Sequence, residues 1–439
     1  MSSDRSWGIA PVPERLRTLS LLDVFLLWGN LGVSLLVLVA GALLVPALGL
    51  PTALGALALG AILGNALLGL AGWIGAERRP PGMVLLRAPL GHRGSYLPTG
   101  LNVLQNIGWA TFELIVIATA ASALADRLFG FEARWLWVLV FGAVTTALAL
   151  AGPISFVRTY VRRFAVWIVA ASLLYLTWWA LAEADLGALW SRPGEGGLGF
   201  WQGVDLTVAM SASWLPLAAD YTRFARRGRD AFLGTALGYL VPHVWLFALG
   251  AVLLLSRGLA DPAALLPAIA AGSAASAVAL LALTVDETDE PFANVYSAAL
   301  SLQNLRPESP PRVLVVAVAA LAVGGALAID LVQYQTFLFL LGSFFVPLFG
   351  VLAADVALGS APEVAVRWSG LTAWLGGFAA YQWIHPTGPG WWVDWVAAVP
   401  EAGSLATGAS LPAFVVAFLL YAALRRAAPV RLAAAVRPR

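Results

Sequence analysis

Apolar residues run through this chain in twelve blocks, each near the ~20 residues a helix needs to cross a bilayer. The first six centre near Val33, Ile62, Glu113, Ala143, Ser172 and Ser211. The rest centre near Phe247, Glu290, Leu321, Phe344, Phe378 and Val415. The pattern predicts an all-α integral membrane protein with twelve transmembrane helices in one domain over residues 20–427. A polar segment (1–19) precedes that domain and a short tail (428–439) follows it.

The sharpest polar interruption lies in the eighth block, where Asp286, Glu287, Asp289 and Glu290 fall within five residues. A charge near the bilayer midplane costs roughly 2.5–3.5 kcal/mol on insertion scales, so four unpaired carboxylates cost on the order of 10 kcal/mol. Bound cations, protons, or a cationic or hydrogen-bonding substrate would offset that load. At about 100° per residue, Asp286, Asp289, Glu290, Asn294 and Ser297 share one arc of a helix. Pro291 lacks an N–H, so the Glu287 carbonyl is expected to lose its helical partner and become available to a cation.

Two blocks look broken at matching places. The first contains Trp28-Gly29-Asn30-Leu31-Gly32, and the sixth Ser211-Ala212-Ser213-Trp214-Leu215-Pro216. Pro216 is expected to free the Ala212 carbonyl. Blocks one and six are five apart, the separation of two inverted five-helix repeats. Interrupted helices at corresponding positions point to the substrate and ion site of a secondary transporter.

The third block carries Asn102, Gln105, Asn106, Trp109 and Glu113 within an arc of roughly 80°. Trp109 offers a flat face, and Glu113 a carboxylate one turn further on. That pair suits a planar, nitrogen-rich heterocycle, which stacks on the ring and donates N–H groups to the carboxylate. Asn102 and Gln105 also suit plain hydrogen bonding to neighbouring helices. Asp220 and Arg223 are expected to pair at the end of block six, as a structural or gating element. Asp23 and Asp355 read as structural, and Gln333, Tyr334 and Gln335 as a cap on block ten.

Composition excludes several classes. The chain is 60% hydrophobic and 11% charged, against about 25% charged in soluble domains. It has no Cys, hence no disulfide or thiolate metal site. His92, His243 and His385 have no metal-ligand spacing, and no cofactor is indicated beyond a coupling ion. No Walker loop or nucleophile elbow points to ATP or acyl chemistry. A net charge of +2 gives no reason for a nucleic-acid partner. The N-terminus lacks the form of a cleaved signal. All 26 basic residues are Arg. With the N-terminus inside, only Arg127, Arg134, Arg192 and Arg257 fall outside, leaving 22 inside, among them Arg158, Arg162 and Arg163. The positive-inside rule then predicts a cell-membrane protein with both termini cytoplasmic.

Four stretches, Leu101–Trp109, Ser213–Phe224, Asn294–Leu305 and Leu340–Asp355, resemble the nucleobase:cation symport-1 family, and most of all its bacterial hydroxymethylpyrimidine and cytosine permease-like branch. The resemblance covers nearly the whole chain. It implies a leucine-transporter-like fold, a five-plus-five inverted repeat with two additional C-terminal helices, and symport of a heterocycle with Na⁺ or H⁺. In hydantoin-transporting members a Trp on helix three stacks on the substrate and a Gln four residues later bonds to it; the matching positions are Trp109 and Glu113. A substrate-binding Asn on helix eight matches Asn294. The break in helix six contributes a further position among Ser211, Ser213 and Trp214. The family's Na⁺ site uses carbonyls from the helix-one break, here Gly29–Gly32 around Asn30, and two adjacent hydroxyls that match Thr288 and Asp289. Thr288 fits, whereas an acid at Asp289 departs from the pattern and suits either Na⁺ or a proton.

The Gln-to-Glu change at position 113 favours an aminopyrimidine such as hydroxymethylpyrimidine, cytosine or a thiamine-like ligand over a hydantoin, because a carboxylate accepts N–H groups more strongly than an amide. The full candidate substrate set is Trp109, Glu113, Asn294, Ser211, Ser213, Trp214, Asn30, Gln105 and Asn106. The candidate cation or proton set is Thr288, Asp289, Glu287, Gly29, Gly32, Asp286 and Glu290. Competing readings are a purine, allantoin or hydantoin symporter of the same fold, an intramembrane acid–base enzyme, and a passive channel. Nothing in the sequence requires more than a monomer.

Overall fold

The computed structural model describes residues 8–151, 166–182, 184–329, 334–360 and 362–427. Gln333, Arg5, the loop arginines Arg158, Arg162 and Arg163, and the tail from 428 lie outside the described residues, as does the side chain of Asp289. Apart from one parallel bridge between Leu19 and Ala225, every regular element among the described residues is a helix. In chain order the helices used below begin with α1 (Leu21–Leu31), α2 (Leu35–Ala42), α3 (Leu50–Arg78), α4 (Tyr96–Phe129), α5 (Arg134–Ala151) and α6 (Val166–Ala182). Next come α7 (Phe200–Ala212), α8 (Ala218–Thr222), α9 (Gly228–Ser256), α10 (Leu265–Ala271), α11 (Ala274–Asp286) and α12 (Asp289–Leu305). The series closes with α13 (Pro311–Ala328), α14 (Tyr334–Ala357), α15 (Trp368–Ile384) and α16 (Ser410–Ala427).

Seven described helices are long and apolar enough to cross a bilayer alone, or eight if α1 and α2, bent by 60° at their break, form one span. Most of the shortfall from twelve has a local cause. Three apolar blocks are interrupted, giving α1/α2, α7/α8 and α11/α12, while the described lengths of α6 and α15 reach 17 residues each.

The breaks lie close to their expected positions and differ in detail. Gly29 and Asn30 belong to the last turn of α1; the chain leaves the helix at Gly32, and Ser34 caps α2 by accepting from the Leu36 N–H. In block six the chain turns through Ser213–Leu217, but the Ala212 carbonyl is not free, because it accepts from the Leu215 N–H at 3.1 Å. In block eight the interruption is Glu287–Thr288, and the Glu287 carbonyl accepts from the Glu290 N–H at 3.2 Å. Proline does remove the i+4 donor in both places. A tighter i+3 bond takes over, so neither carbonyl is left bare.

Two groups of helices form around these breaks. α9 packs on α1, α2 and α3, and α3 in turn on α7 and α8. α4 packs on α12, α5 and α13. In the first group the backbones nearly touch. A Cβ at Gly41 would lie 2.2 Å from the Phe247 carbonyl oxygen, and one at Gly250 would lie 1.9 Å from that of Leu38. Glycine at both positions lets the short α2 lie directly on α9, as small residues do in membrane helix pairs.

The arginine-rich end is closed by the N-terminal segment. Leu19 bonds to both sides of Ala225 across the bridge, its N–H on the Phe224 carbonyl at 3.0 Å and its carbonyl accepting from the Arg226 N–H at 2.9 Å. Asp220 and Arg223 bind backbone here. Asp220 accepts from the Gly82 N–H at 2.9 Å, and Arg223 donates to the Gly8 carbonyl at 3.0 Å. Asp23 joins Ser20 in a capping box at the start of α1, and Asp355 accepts from Tyr421 at 2.7 Å and Arg425 at 3.0 Å, tying α14 to α16.

Asp205 has a comparable structural role. Its carboxylate, 2% exposed, accepts from the Ala409 N–H at 2.6 Å and the Ser410 N–H at 2.9 Å, pinning the start of α16 to α7. Asp205→Ala would strand both donors at a buried helix end. The expected loss is about 2 kcal/mol of stability, read as a lower melting temperature in detergent. An unchanged melting temperature would remove this role.

Candidate functional site

Helices from both groups converge on one narrow cavity of about 10 Å³, room for roughly one water. α2 contributes Leu36 and Val37, with Ser34 just ahead of it; α7 contributes Met210, with Ser213 and Trp214 just past it; and α9 contributes Tyr239. The second group contributes Trp109 and Glu113 of α4, and Glu290 and Asn294 of α12.

Glu113 and Asn294 meet directly. The Asn294 amide donates to the two Glu113 carboxylate oxygens at 2.8 and 3.1 Å, and also to the Glu290 carbonyl at 3.2 Å. With its N–H₂ spent, Asn294 can offer the cavity only its carbonyl oxygen, and an ionised Glu113 is acceptor-only. This wall therefore presents acceptors to the cavity. Trp109 lies beside it, held edge-on by Tyr334 at 5.8 Å and Phe337 at 5.3 Å between ring centroids. Tyr334 is 3% exposed and donates to the Leu36 carbonyl at 3.3 Å, which ties the start of α14 to α2.

The acid cluster is buried: Asp286, Glu287 and Glu290 are at most 3% exposed. Glu287 uses its side chain. One carboxylate oxygen accepts from the Leu35 N–H at 2.6 Å and the other from the Ser34 hydroxyl at 2.8 Å. The break in block eight thus caps the N-terminus of α2, where the helix dipole favours a negative charge. Neither carboxylate oxygen of Asp286 has a hydrogen-bond partner among the described residues. The Thr288 hydroxyl donates to the Val285 carbonyl at 2.8 Å, which leaves its oxygen lone pairs for another partner.

Several sequence candidates stand elsewhere. Ser211 faces away from the cavity, 3.3 Å from the His243 ring and packed on Gly64 of α3. Gln105 bonds to Asn102 at 2.8 Å and to the Ser213 carbonyl at 3.1 Å, and Asn106 donates to the Asn102 carbonyl at 2.7 Å. Gln105 belongs to a polar seam joining α4 to its neighbours, continued by Asn102 on Ser301 at 2.7 Å, whereas the Asn106 bond stays within α4. Their arc is shared with Glu113, but each helical turn moves them about 5.4 Å along the axis and out of the cavity. Asn30 is 5% exposed in the last turn of α1 and does not line the cavity. Sequence reasoning missed Ser34, Leu36, Val37, Met210 and Tyr239. Ser34 had a usable signal, a Ser ahead of an apolar run and just past a glycine. Tyr239 sits in an apolar run with none.

Residues 11–363 match the family described as permeases for cytosine/purines, uracil, thiamine and allantoin. The chain belongs to that family. The resemblance carried by the motifs is therefore correct, and this permease is a multi-pass membrane transporter, not an intramembrane enzyme. It is 26% identical over 299 residues to a hydantoin permease of Microbacterium maritypicum, covering 63% of this chain and 60% of that relative, less than two thirds of its length. It is 25% identical over 398 residues to the cytosine permease of Escherichia coli O157:H7, covering 88% of this chain and 90% of that relative. Its fold is similar to that of Mhp1, a nucleobase-cation-symport-1 family transporter solved closed with bromovinylhydantoin bound. There the TM-score is 0.78 at 21% identity, over 96% of this chain and 95% of that one. A Na⁺-coupled sialic acid symporter shares the fold at a TM-score of 0.64 and 9% identity, over 92% of this chain and 90% of that one.

Proposed function

We propose that this permease imports a planar nitrogen heterocycle, an aminopyrimidine of the hydroxymethylpyrimidine, cytosine or thiamine-related kind, driven by Na⁺ or H⁺. The observation that carries this reading is the Glu113–Asn294 pair beside Trp109. It presents acceptors to a ligand whose edge bears N–H groups, next to a ring on which that ligand can stack. The cation or proton sits by the helix breaks, among Thr288, Asp289, Asp286 and the carbonyls near Gly29–Gly32, with Glu290 between the two sites. The unpartnered carboxylate of Asp286 supports a bound cation or proton there.

Twelve spans follow if α1/α2, α7/α8 and α11/α12 each count as one. The first ten form two inverted five-helix repeats, with α15 and α16 added, both termini cytoplasmic and the monomer as the working unit. The two helix groups then rock about the cavity they share. A heterocycle does not fit in 10 Å³, so its entry separates α4 and α12 from α2, α7 and α9.

A thermal-shift screen of pyrimidines, purines, hydantoins and thiamine, with and without Na⁺ at several pH values, tests this. The largest stabilisation is expected from aminopyrimidines, and it should grow with Na⁺ or with falling pH. Stabilisation by hydantoins or purines alone would replace the substrate assignment. Shifts indifferent to both Na⁺ and pH would remove the coupling.

A further inference from the structure

The cavity is rich in acceptors and short of donors. The Asn294 amide is spent on Glu113 and Glu290, the Ser34 hydroxyl on Glu287, and the Ser213 hydroxyl on the Met210 carbonyl at 2.8 Å. Two side-chain donors remain among the cavity-lining residues. One is the Trp109 indole N–H, which has no partner. It lies in the plane of its ring, so it cannot reach a ligand stacked on the ring face. The other is the Tyr239 hydroxyl.

Tyr239 is 1% exposed and held on three sides, its ring edge-on to Trp28 at 6.2 Å, Trp214 at 6.3 Å and His243 at 5.5 Å. The Trp214 indole N–H donates to its hydroxyl oxygen at 3.1 Å. An indole N–H only donates, so the phenol oxygen is the acceptor in that bond. Its own proton has no acceptor among the described residues. Tyr239 comes from α9, in the other helix group from Glu113 and Asn294, and lines the same cavity.

We propose that Tyr239 is the specificity-determining donor of this site, oriented by Trp214 to hydrogen-bond a ring carbonyl on the ligand. The inference rests on the reading under Proposed function and narrows it. The preferred substrate carries N–H groups toward Glu113 and a carbonyl toward Tyr239, as in an aminopyrimidinone, and a carbonyl-free aminopyrimidine binds less well. A site built around a polar group rejects the analogue lacking it, because its own buried partner is left unpaired.

Binding of cytosine and of 4-aminopyrimidine to the purified full-length protein tests this. The parent should bind cytosine about ten-fold more tightly or better. Tyr239→Phe keeps the packed ring and removes the hydroxyl. It should weaken cytosine about ten-fold, barely change 4-aminopyrimidine, and bring their ratio near one. Trp214→Phe, which leaves the phenol unoriented, should lower the same ratio by about three-fold. Equal loss for both ligands, or an unchanged ratio, overturns the proposal. If Tyr239→Phe does not fold, a parent that fails to prefer cytosine overturns it equally. Failure of the parent to bind any heterocycle would instead sink the functional reading beneath it.

Discussion

Glu287→Ala is expected to abolish uptake and to lower stability by about 3 kcal/mol. Its carboxylate is the cap of α2, accepting from Leu35 N–H and Ser34 hydroxyl at 2.6 and 2.8 Å. Ser34 in turn accepts from the Leu36 N–H at 3.0 Å. Within a bilayer there is no bulk water to take over these donors, and each unsatisfied one costs several kcal/mol before any relaxation. Partial rescue by water entering the cavity brings the estimate down to about 3 kcal/mol. The same contact fixes α2 against the α11/α12 break, so its loss also disorders the wall formed by Leu36 and Val37. Glu287→Gln keeps the acceptor for Leu35, turns its N–H₂ to the Ser34 oxygen in place of the second acceptor, and loses the charge at the helix N-terminus, worth about 1 kcal/mol. It should fold and retain measurable uptake. Melting in detergent, with uptake into liposomes, separates the two variants. Parent-like behaviour of Glu287→Ala would show that the cap is dispensable.

Glu113→Gln is expected to weaken aminopyrimidine binding by about five- to thirty-fold while the protein stays folded. The carboxylate is 2% exposed and faces Asn294 with both oxygens. Gln preserves the shape but leaves one acceptor, and its new N–H₂ opposes either the Asn294 amide or the ligand donor. Hydrogen bonds to a charged acceptor are worth about 1.5–3 kcal/mol against 0.5–1.5 for neutral pairs, and the difference of about 1–2 kcal/mol gives that fold-change. Hydantoin binding should be spared or improved, because a hydantoin carbonyl gains a donor. Titration calorimetry on parent and variant checks both arms. Equal affinity for aminopyrimidines would remove Glu113 from the ligand site.

The acid cluster shows how far a local reading reaches. Its burial was legible, because four carboxyl groups inside an apolar block require a polar interior. Their division of labour was not. Glu287 was expected to act through a bare carbonyl freed by Pro291, but that carbonyl accepts from Glu290 and the side chain caps another helix. On α4 the shared face of Trp109 and Glu113 was visible from spacing alone. That Gln105 on the same face bonds to the Ser213 carbonyl, and Asn106 back to its own helix, was not, since periodicity gives angle and leaves neighbours open.

By itself the sequence determined the membrane class, the family, the approximate places where two spans break, and the face of α4 that carries Trp109 and Glu113. All of these are set by composition, glycine and proline chemistry, and helical periodicity, each readable within a few turns. Only the tertiary structure decided who faces whom. It set Glu113 against Asn294, 181 residues away, and Glu287 against Leu35, 252 residues away, and it brought Tyr239 of α9 to the same cavity. A hydrogen bond works over about 3 Å, and that distance is fixed by how helices pack, which no local pattern encodes.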